Sequence, residues 1–336
     1  MERGFSFSRP LDRSNIVYHY ASIDTFMAIL GNKTLRMTNI AKSNDRSEIS
    51  CALELIAEAT HGYLAKHMRR SDDNESLAII VENFDAEDFF GNILSESNLV
   101  YYAVCFSREP DLLSQWRGYA NDGNGVAIGF YERVFDGFWG AKDPSLKYAH
   151  IIYDVDRLKK RVEDFISRGF SENEKAGKTA TADYANVLSD LLSWATYQSV
   201  FFKNPAFEEE RETRLVFYPF GNIRSLRRTR ATWAVWGQGD ERNDRYYDRM
   251  AEFFDYTDES HPHGNLTFSK PSFLVRGNKL VSYLDCSFAK VSREFLAEVV
   301  LGPKTDLDDA ELRLFLLANG YDIDKVSIVN SKAPYM

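Results

Sequence analysis

The spacing of apolar positions predicts a chain that opens strand, short helix, strand. Ile16-Val-Tyr-His-Tyr20 is rich in β-branched and aromatic residues, and Ser22 can cap the helix that follows. In that helix Ile23, Phe26, Met27 and Leu30 fall at i, i+3, i+4 and i+7, which makes one apolar face. Gly31 suits a C-terminal stop, and Leu35-Arg-Met-Thr-Asn39 reads as the second strand. Ser43-Asn-Asp-Arg-Ser-Glu48 starts a long helix reaching about His67, and a further helical stretch is expected over about 75–95.

Leu99 to Phe106 reads as a buried strand, and Pro110-Asp111 as the opening of a helix with Trp116 and Tyr119. The turn Asn121 to Gly125 leads into a strand over Val126–Phe130. A strand over Lys147–Tyr153, helices over about 155–170 and 180–202, and a strand over Arg211–Phe217 come next. Strands are also expected near Phe273, over Leu280–Leu284, Glu298–Leu301 and Lys325–Asn330, with a helix over about 308–317. Strands spread from end to end with helices between them predict one α+β domain over 16–336, after an N-terminal extension of 1–15. Helical insertions fall near 46–95 and 155–202, and an irregular arginine- and aromatic-rich insertion near 220–270.

Composition narrows the classes. With 336 residues, 44% hydrophobic and 14% aromatic, the chain can bury a real core. A net charge of −9 repels nucleic acid and anionic lipid, so a polyanionic partner would need a local basic patch. The apolar runs fall short of the ~20 residues of a membrane helix, and the N-terminus lacks the apolar stretch of a secretion signal. A cytoplasmic protein without membrane contact is expected. Cys51, Cys105 and Cys286 are widely spaced in apolar contexts and read as core residues rather than disulfides or metal ligands. Walker, GxGxxG, HExxH and GxSxG motifs are all missing, which disfavours the enzyme classes that depend on them.

The most informative stretch is Phe207-Glu-Glu-Glu-Arg-Glu-Thr-Arg-Leu-Val-Phe217. Strand alternation puts Glu210, Glu212 and Arg214 on one face and Thr213, Leu215 and Phe217 on the other. By spacing alone, an exposed edge ladder with Arg214 paired to Glu212 is the favoured reading. His19 sits on the first strand, where a lone histidine is usually half-buried and satisfied. Asp45 and Glu48 fit a capping box, Asn44 a turn, and Ser107 either a cap or a ligand contact. Trp116 and Tyr119 share a helix face that is more often core than ligand platform. Arg224, Arg227, Arg228 and Arg230, followed by Trp233 and Trp236, could grip a nucleic-acid backbone; flanking acids favour an exposed insertion instead.

Taken in order, several motifs resemble the bacterial family called domain of unknown function 2971. They are Tyr18-His-Tyr20 with its Ile-x-x-Phe-Met-x-Ile-Leu helix, Ser43-Asn-Asp45 with Glu48, Cys105-Phe-Ser107 and Trp116-x-x-Tyr119. Gly125-Val-Ala-Ile-Gly-Phe130, Glu210-x-Glu-x-Arg-Leu-Val216 and Gly302-Pro-Lys304 complete the series, which runs from about residue 16 to 332. The family's proline after Asn-Asp is Arg46 here. More weakly, the opening strand–helix–strand and the Glu-x-Glu strand resemble the ADP-ribosyltransferase fold. That resemblance implies a mixed or antiparallel split-sheet core with NAD lying in a cleft between two small sheets.

The same resemblance implies roles. His19 would hydrogen-bond NAD, and Tyr20, Trp116 or Tyr119 would stack nicotinamide. Ser107 and Asn44 would support the cleft. Glu212 would bind the ribose 2′-hydroxyl and stabilise the oxocarbenium-like transition state, Glu210 would position the acceptor or act as base, and Arg214 would keep both carboxylates ionised. The implied function is an NAD-dependent transferase or NAD glycohydrolase in a toxin or phage-defence setting. It needs no metal, and its acceptor is a protein or nucleic acid held through Arg224–Arg230. Two other readings stand beside it: a non-enzymatic recognition module using the 220–250 insertion, and a magnesium nuclease with Asp45, Glu48, Glu210 and Glu212 as ligands and Lys203 as base. One pocket lined by both His19 and Glu212 is the geometric requirement of the NAD reading.

Overall fold

The structure, a computed structural model, describes residues 11–40, 46–68, 75, 78–79, 101–136, 146–218 and 266–335. The chain opens as the apolar pattern requires, with strand β1 (Ile16–Ala21), helix α1 (Ile23–Asn32) and strand β2 (Thr34–Asn39). Ser22 caps α1 by accepting from the Thr25 amide. The helix passes Gly31 and closes at Lys33, whose φ of 54° is the left-handed turn often given to glycine. Helix α2 (Arg46–Met68) and strand β3 (Tyr102–Ser107) follow.

Helix α3 spans Leu113–Tyr119 and starts later than the Pro110-Asp111 signal predicts. Asp111 caps nothing there; its carboxylate accepts from the Trp116 indole at 2.7 Å and the Lys332 amide at 2.6 Å, which ties the C-terminal tail to this loop. Strands β4 (Val126–Tyr131) and β5 (Leu146–His150) lead to two antiparallel helices, α4 (Val155–Lys175) and α5 (Thr181–Ser199). On α4, Leu158, Val162, Ile166 and Phe170 are four apart and all buried, a single helical stripe. The helices approach closely at Gly169, where a Cβ would lie 2.6 Å from Val187 Cγ1.

A 3-10 turn (Pro205–Glu210) precedes strand β6 (Glu212–Phe217). The described chain then resumes with β7 (Thr267–Phe268), β8 (Ser272–Arg276), β9 (Lys279–Ser287) and β10 (Leu296–Leu301). Helix α6 (Asp309–Ala318), capped by Asp308, and strand β11 (Ser327–Asn330) close it.

All these strands join one mixed sheet with a core order β11-β10-β4-β1-β3-β2-β9-β7. Only β10 with β11 is parallel; the other named pairs are antiparallel. Strand β3 is the branch point. One edge pairs along its whole length with β6, from Tyr102↔Phe217 to Ser107↔Glu212. The other edge must therefore serve both β1, which meets it at Ser107, and β2, which meets it at Ala103 and Tyr102. Between those contacts β1 and β2 diverge, and the sheet splits along Val104–Phe106. The mixed, open sheet with its interspersed helices makes an α+β fold, the class that the alternation of elements predicted.

The two sheet faces carry different cores. On one side Val17, Phe106, Ile128, Phe130, Leu215 and Phe217 pack with α1 and α6. On the other, Ala103 and Val216 pack under α2, α4 and α5, while Ile16, Tyr18 and Tyr20 pack with Trp116. At the N-terminal side, Tyr18, Gly129 and Glu298 stand in one row across β1, β4 and β10. The wholly buried Glu298 carboxylate accepts from Tyr18 Oη at 2.8 Å, Arg13 Nη2 at 2.6 Å and Ser327 Oγ at 3.2 Å. Arg13 is thus bonded to the interior of the sheet, although residues 1–15 read as an extension in the sequence.

Candidate active site

The Glu-x-Glu-x-Arg segment lies inside the protein. Strand β6 is flanked by β3 and β5, every one of its residues is buried, and Arg214 is wholly inaccessible. This overturns the favoured reading of an exposed edge ladder. The strand pattern alone could not exclude that reading, because edge and centre strands alternate identically.

Glu212 and Arg214 share a face, as alternation requires. Arg214 Nε donates to Glu212 Oε1 at 2.6 Å and Nη2 to Oε2 at 3.2 Å, a two-pronged pair, while Nη1 donates to the Val200 carbonyl at 2.9 Å. Lys203, on the chain leaving α5, donates from Nζ to Glu212 Oε2 at 3.1 Å and to Glu210 Oε2 at 2.7 Å. Glu210 is not on the strand; it reaches the cluster from the end of the 3-10 turn, after which Arg211 reverses the chain at φ 44°. The strand thus begins one residue later than Arg211, and Glu210 joins Glu212 through Lys203 rather than through β alternation.

The cluster balances two carboxylates against two cations, as burial demands. Burial alone would raise the Glu212 pKa, but the Arg214 charge and hydrogen bonds, the Lys203 charge and the Cys105 thiol outweigh it and bring it down to about 2. The Tyr153 hydroxyl accepts from the Glu212 amide at 2.9 Å, and burial pushes that phenol up to about 12. Ser107 stands opposite Glu212 in register; its hydroxyl donates to the Glu210 carbonyl at 2.7 Å and accepts from the Glu109 amide at 3.0 Å. It therefore pins the turn that carries Glu210.

His19 lies elsewhere. Tyr18, Ser107 and Glu212 form one row across β1, β3 and β6, so His19, one position on, projects to the opposite face. There its ring meets Phe106 edge-on at 6.0 Å, and Nδ1–H donates to the Cys105 carbonyl at 3.0 Å, on the edge of β3 where the sheet splits. Burial holds the ring below its ordinary pKa, favouring the neutral form. The expectation of one pocket lined by His19 and Glu212 is therefore corrected: β-pleating separates them, and His19 supports the split edge instead.

The aromatic assignments also change. Trp116 is wholly buried against Tyr20, with ring centroids 4.8 Å apart, and the Tyr20 hydroxyl donates to the Glu109 carbonyl at 2.8 Å. Neither offers a free ring face for nicotinamide. Tyr119, on the same helix, is 57% exposed. Asn44 and Arg224–Arg230 lie outside the described residues, as do Asp45, the Glu48 side chain and all of the helix expected over 75–95 except residues 75, 78 and 79, which are helical. Among the described residues no group of three or more His, Cys, Asp or Glu side chains is placed to hold a metal ion, and no helix is long and apolar enough to cross a membrane. Lys203 emerges as the organising residue; the sequence offers it only as the base of the nuclease reading, from its place at the end of an apolar helix seven and nine positions before the two glutamates.

Comparison with curated proteins and with solved structures finds no match. Residues 115–215, which run from α3 through β4, β5 and the paired helices to Leu215 of β6, match the family described as Protein of unknown function (DUF2971), which supports the resemblance over that span.

Proposed function

We propose that the protein is an NAD-consuming enzyme of ADP-ribosyltransferase type, with Glu212 and Glu210 as its working carboxylates and without the pocket shared with His19 that the resemblance required, since His19 lies on the opposite face of the sheet. The observation that carries the reading is the split along one edge of β3, with the paired carboxylates on the strand at its other edge and Ser107 directly opposite Glu212. Two small sheet halves diverging from a shared strand are what a cleft between sheets requires. Glu212 stays ionised across the physiological range because Arg214 and Lys203 hold it so. A fixed anion stabilises positive charge that develops only in the transition state.

In this reaction the bond from C1′ of the ribose to the nicotinamide nitrogen breaks, and its electron pair leaves with nicotinamide. The cationic sugar carbon is stabilised by Glu212. Water or an acceptor hydroxyl or amine then adds to that carbon, and its proton passes to Glu210. His19, Tyr20 and Trp116 act here as supports of the site rather than as contacts to NAD. The acceptor, and a toxin or defence setting, belong to this proposal alone.

The test is nicotinamide release from NAD by wild type, Glu210→Gln and Glu212→Gln, each first shown to be folded by circular dichroism. Release by wild type, with at least a hundredfold loss in folded Glu212→Gln, supports the reading. No release by wild type, or equal release by the variant, refutes it. The closure of Glu212 by two cations favours a second reading, a non-enzymatic recognition module in which the cluster only braces the sheet. Under that reading Glu212→Gln loses stability and there is no turnover to lose.

A further inference from the structure

In the enzymatic reading Lys203 helps to keep Glu212 ionised, but its position between the two carboxylates goes beyond that task. Its side chain is 5% exposed and sits between Glu210 and Glu212, at 2.7 and 3.1 Å. Arg214 is fixed differently: wholly buried, it is held by Glu212 on one side and the Val200 carbonyl on the other. Lys203 instead approaches from the side of the 3-10 turn, with its ammonium 4.8 Å from the centre of the Phe207 ring. Phe207 is 43% exposed, so the ring bordering Lys203 faces solvent. A lysine stem has four rotatable carbons and one point charge, whereas the guanidinium is locked by its fork.

We propose, resting on the reading above, that Lys203 is a built-in competitor whose ammonium fills the place between Glu210 and Glu212 that a substrate's cationic centre must take. The site opens when Lys203 swings out past Phe207. Charge counting supports this. With Lys203 in place two anions face two cations; with it withdrawn, one negative charge is left over and attracts a cation. The ligand class is a planar organic cation of the pyridinium type. The lysine thereby keeps the carboxylates paired and screened from water until such a cation displaces it.

The experiment uses the full chain and two probes, the permanent cation 1-methylnicotinamide and neutral nicotinamide, titrated calorimetrically into wild type, Lys203→Gln, Lys203→Arg and Phe207→Ala. The expected result is at least tenfold tighter cation binding by Lys203→Gln than by wild type or Lys203→Arg. Neutral nicotinamide should show no such gain, and the effect should shrink at high salt. Phe207→Ala keeps the charge but frees the stem, so it should fall between, and it carries the test if Lys203→Gln does not fold. Equal cation affinity in wild type and both loosened variants, or an equal gain for the neutral probe, overturns the proposal. Nicotinamide release separates the two claims. A cation gain with no release by any form leaves the lysine's role standing and removes the enzyme; release by wild type with no cation gain does the reverse.

Discussion

Replacing Glu212 by glutamine tests how the fold treats the charge at the centre of the cluster. The carboxylate falls from an ordinary 4.5 to about 2 in the folded chain. At 1.36 kcal/mol per tenfold, that difference makes the ionised form about 3 kcal/mol better than the neutral one in this site. Glutamine copies the neutral form, and its amide hydrogens would face the donors of Arg214 and Lys203. The same figure sits at the low end of the roughly 3–5 kcal/mol for breaking a buried pair. A depressed carboxylate contributes stability that is present above its unfolded value and is lost as pH falls through the folded value. Urea unfolding followed by circular dichroism should therefore show Glu212→Gln less stable by about 3 kcal/mol at pH 7, narrowing to roughly half that at pH 3 as the wild-type carboxylate's advantage fades. A gap under about 1 kcal/mol at pH 7, or one that does not change with pH, would refute the reasoning.

Two further outcomes are expected. At Gly125 a Cβ would stand 2.1 Å from the Ala21 carbonyl oxygen and 2.9 Å from that of Ala120, and backbone cannot step aside. Gly125→Ala should cost about 3 kcal/mol or more, read as a lost or sharply lowered melting transition, and a variant melting within a few degrees of wild type would contradict it. His19→Leu removes the imidazole donor to the Cys105 carbonyl and should cost about 1 kcal/mol at pH 7. Because burial lowers the His19 pKa, the unfolded chain takes up the proton first as pH drops below about 6.5, so His19 draws stability down in acid. Urea midpoints of wild type should fall between pH 7 and 5 by more than those of His19→Leu; parallel profiles would count against it.

Much of the fold could be read from the chain. The opening strand, helix and strand, the α4 stripe and the β-rich runs at 126–131 and 212–217 stand where local patterning puts them, because each buries one face and carries its period in its own residues. Pairing is another matter. Nothing in Glu-x-Glu-x-Arg says whether the strand lies at an edge or between β3 and β5, and that choice decides whether Arg214 is a surface ladder rung or a wholly buried guanidinium. Tyr18-His19-Tyr20 shows the same limit more sharply. The motif places a histidine beside two tyrosines, but only the register Tyr18↔Ser107↔Glu212 reveals that pleating sends His19 away from the carboxylates. Lys203 is legible as a candidate base beside Glu210 and Glu212 and not as their ion-pair partner, since its contacts depend on how the 3-10 turn brings Glu210 back toward the end of α5.

The wiring of the sheet bears on how the protein can be handled. Strand β4, inside the span that matches the family model, draws both of its neighbours from outside it: β1 and β10. Strand β6 likewise loses β3, and the paired helices lose α2. A fragment excised at 115 and 215 would bare both edges of β4 and strip a layer from two cores, so it should aggregate rather than fold. Any minimal version must keep Arg13 through Ala21 together with Leu296–Leu301, the far ends of the chain acting as the two halves of one clasp.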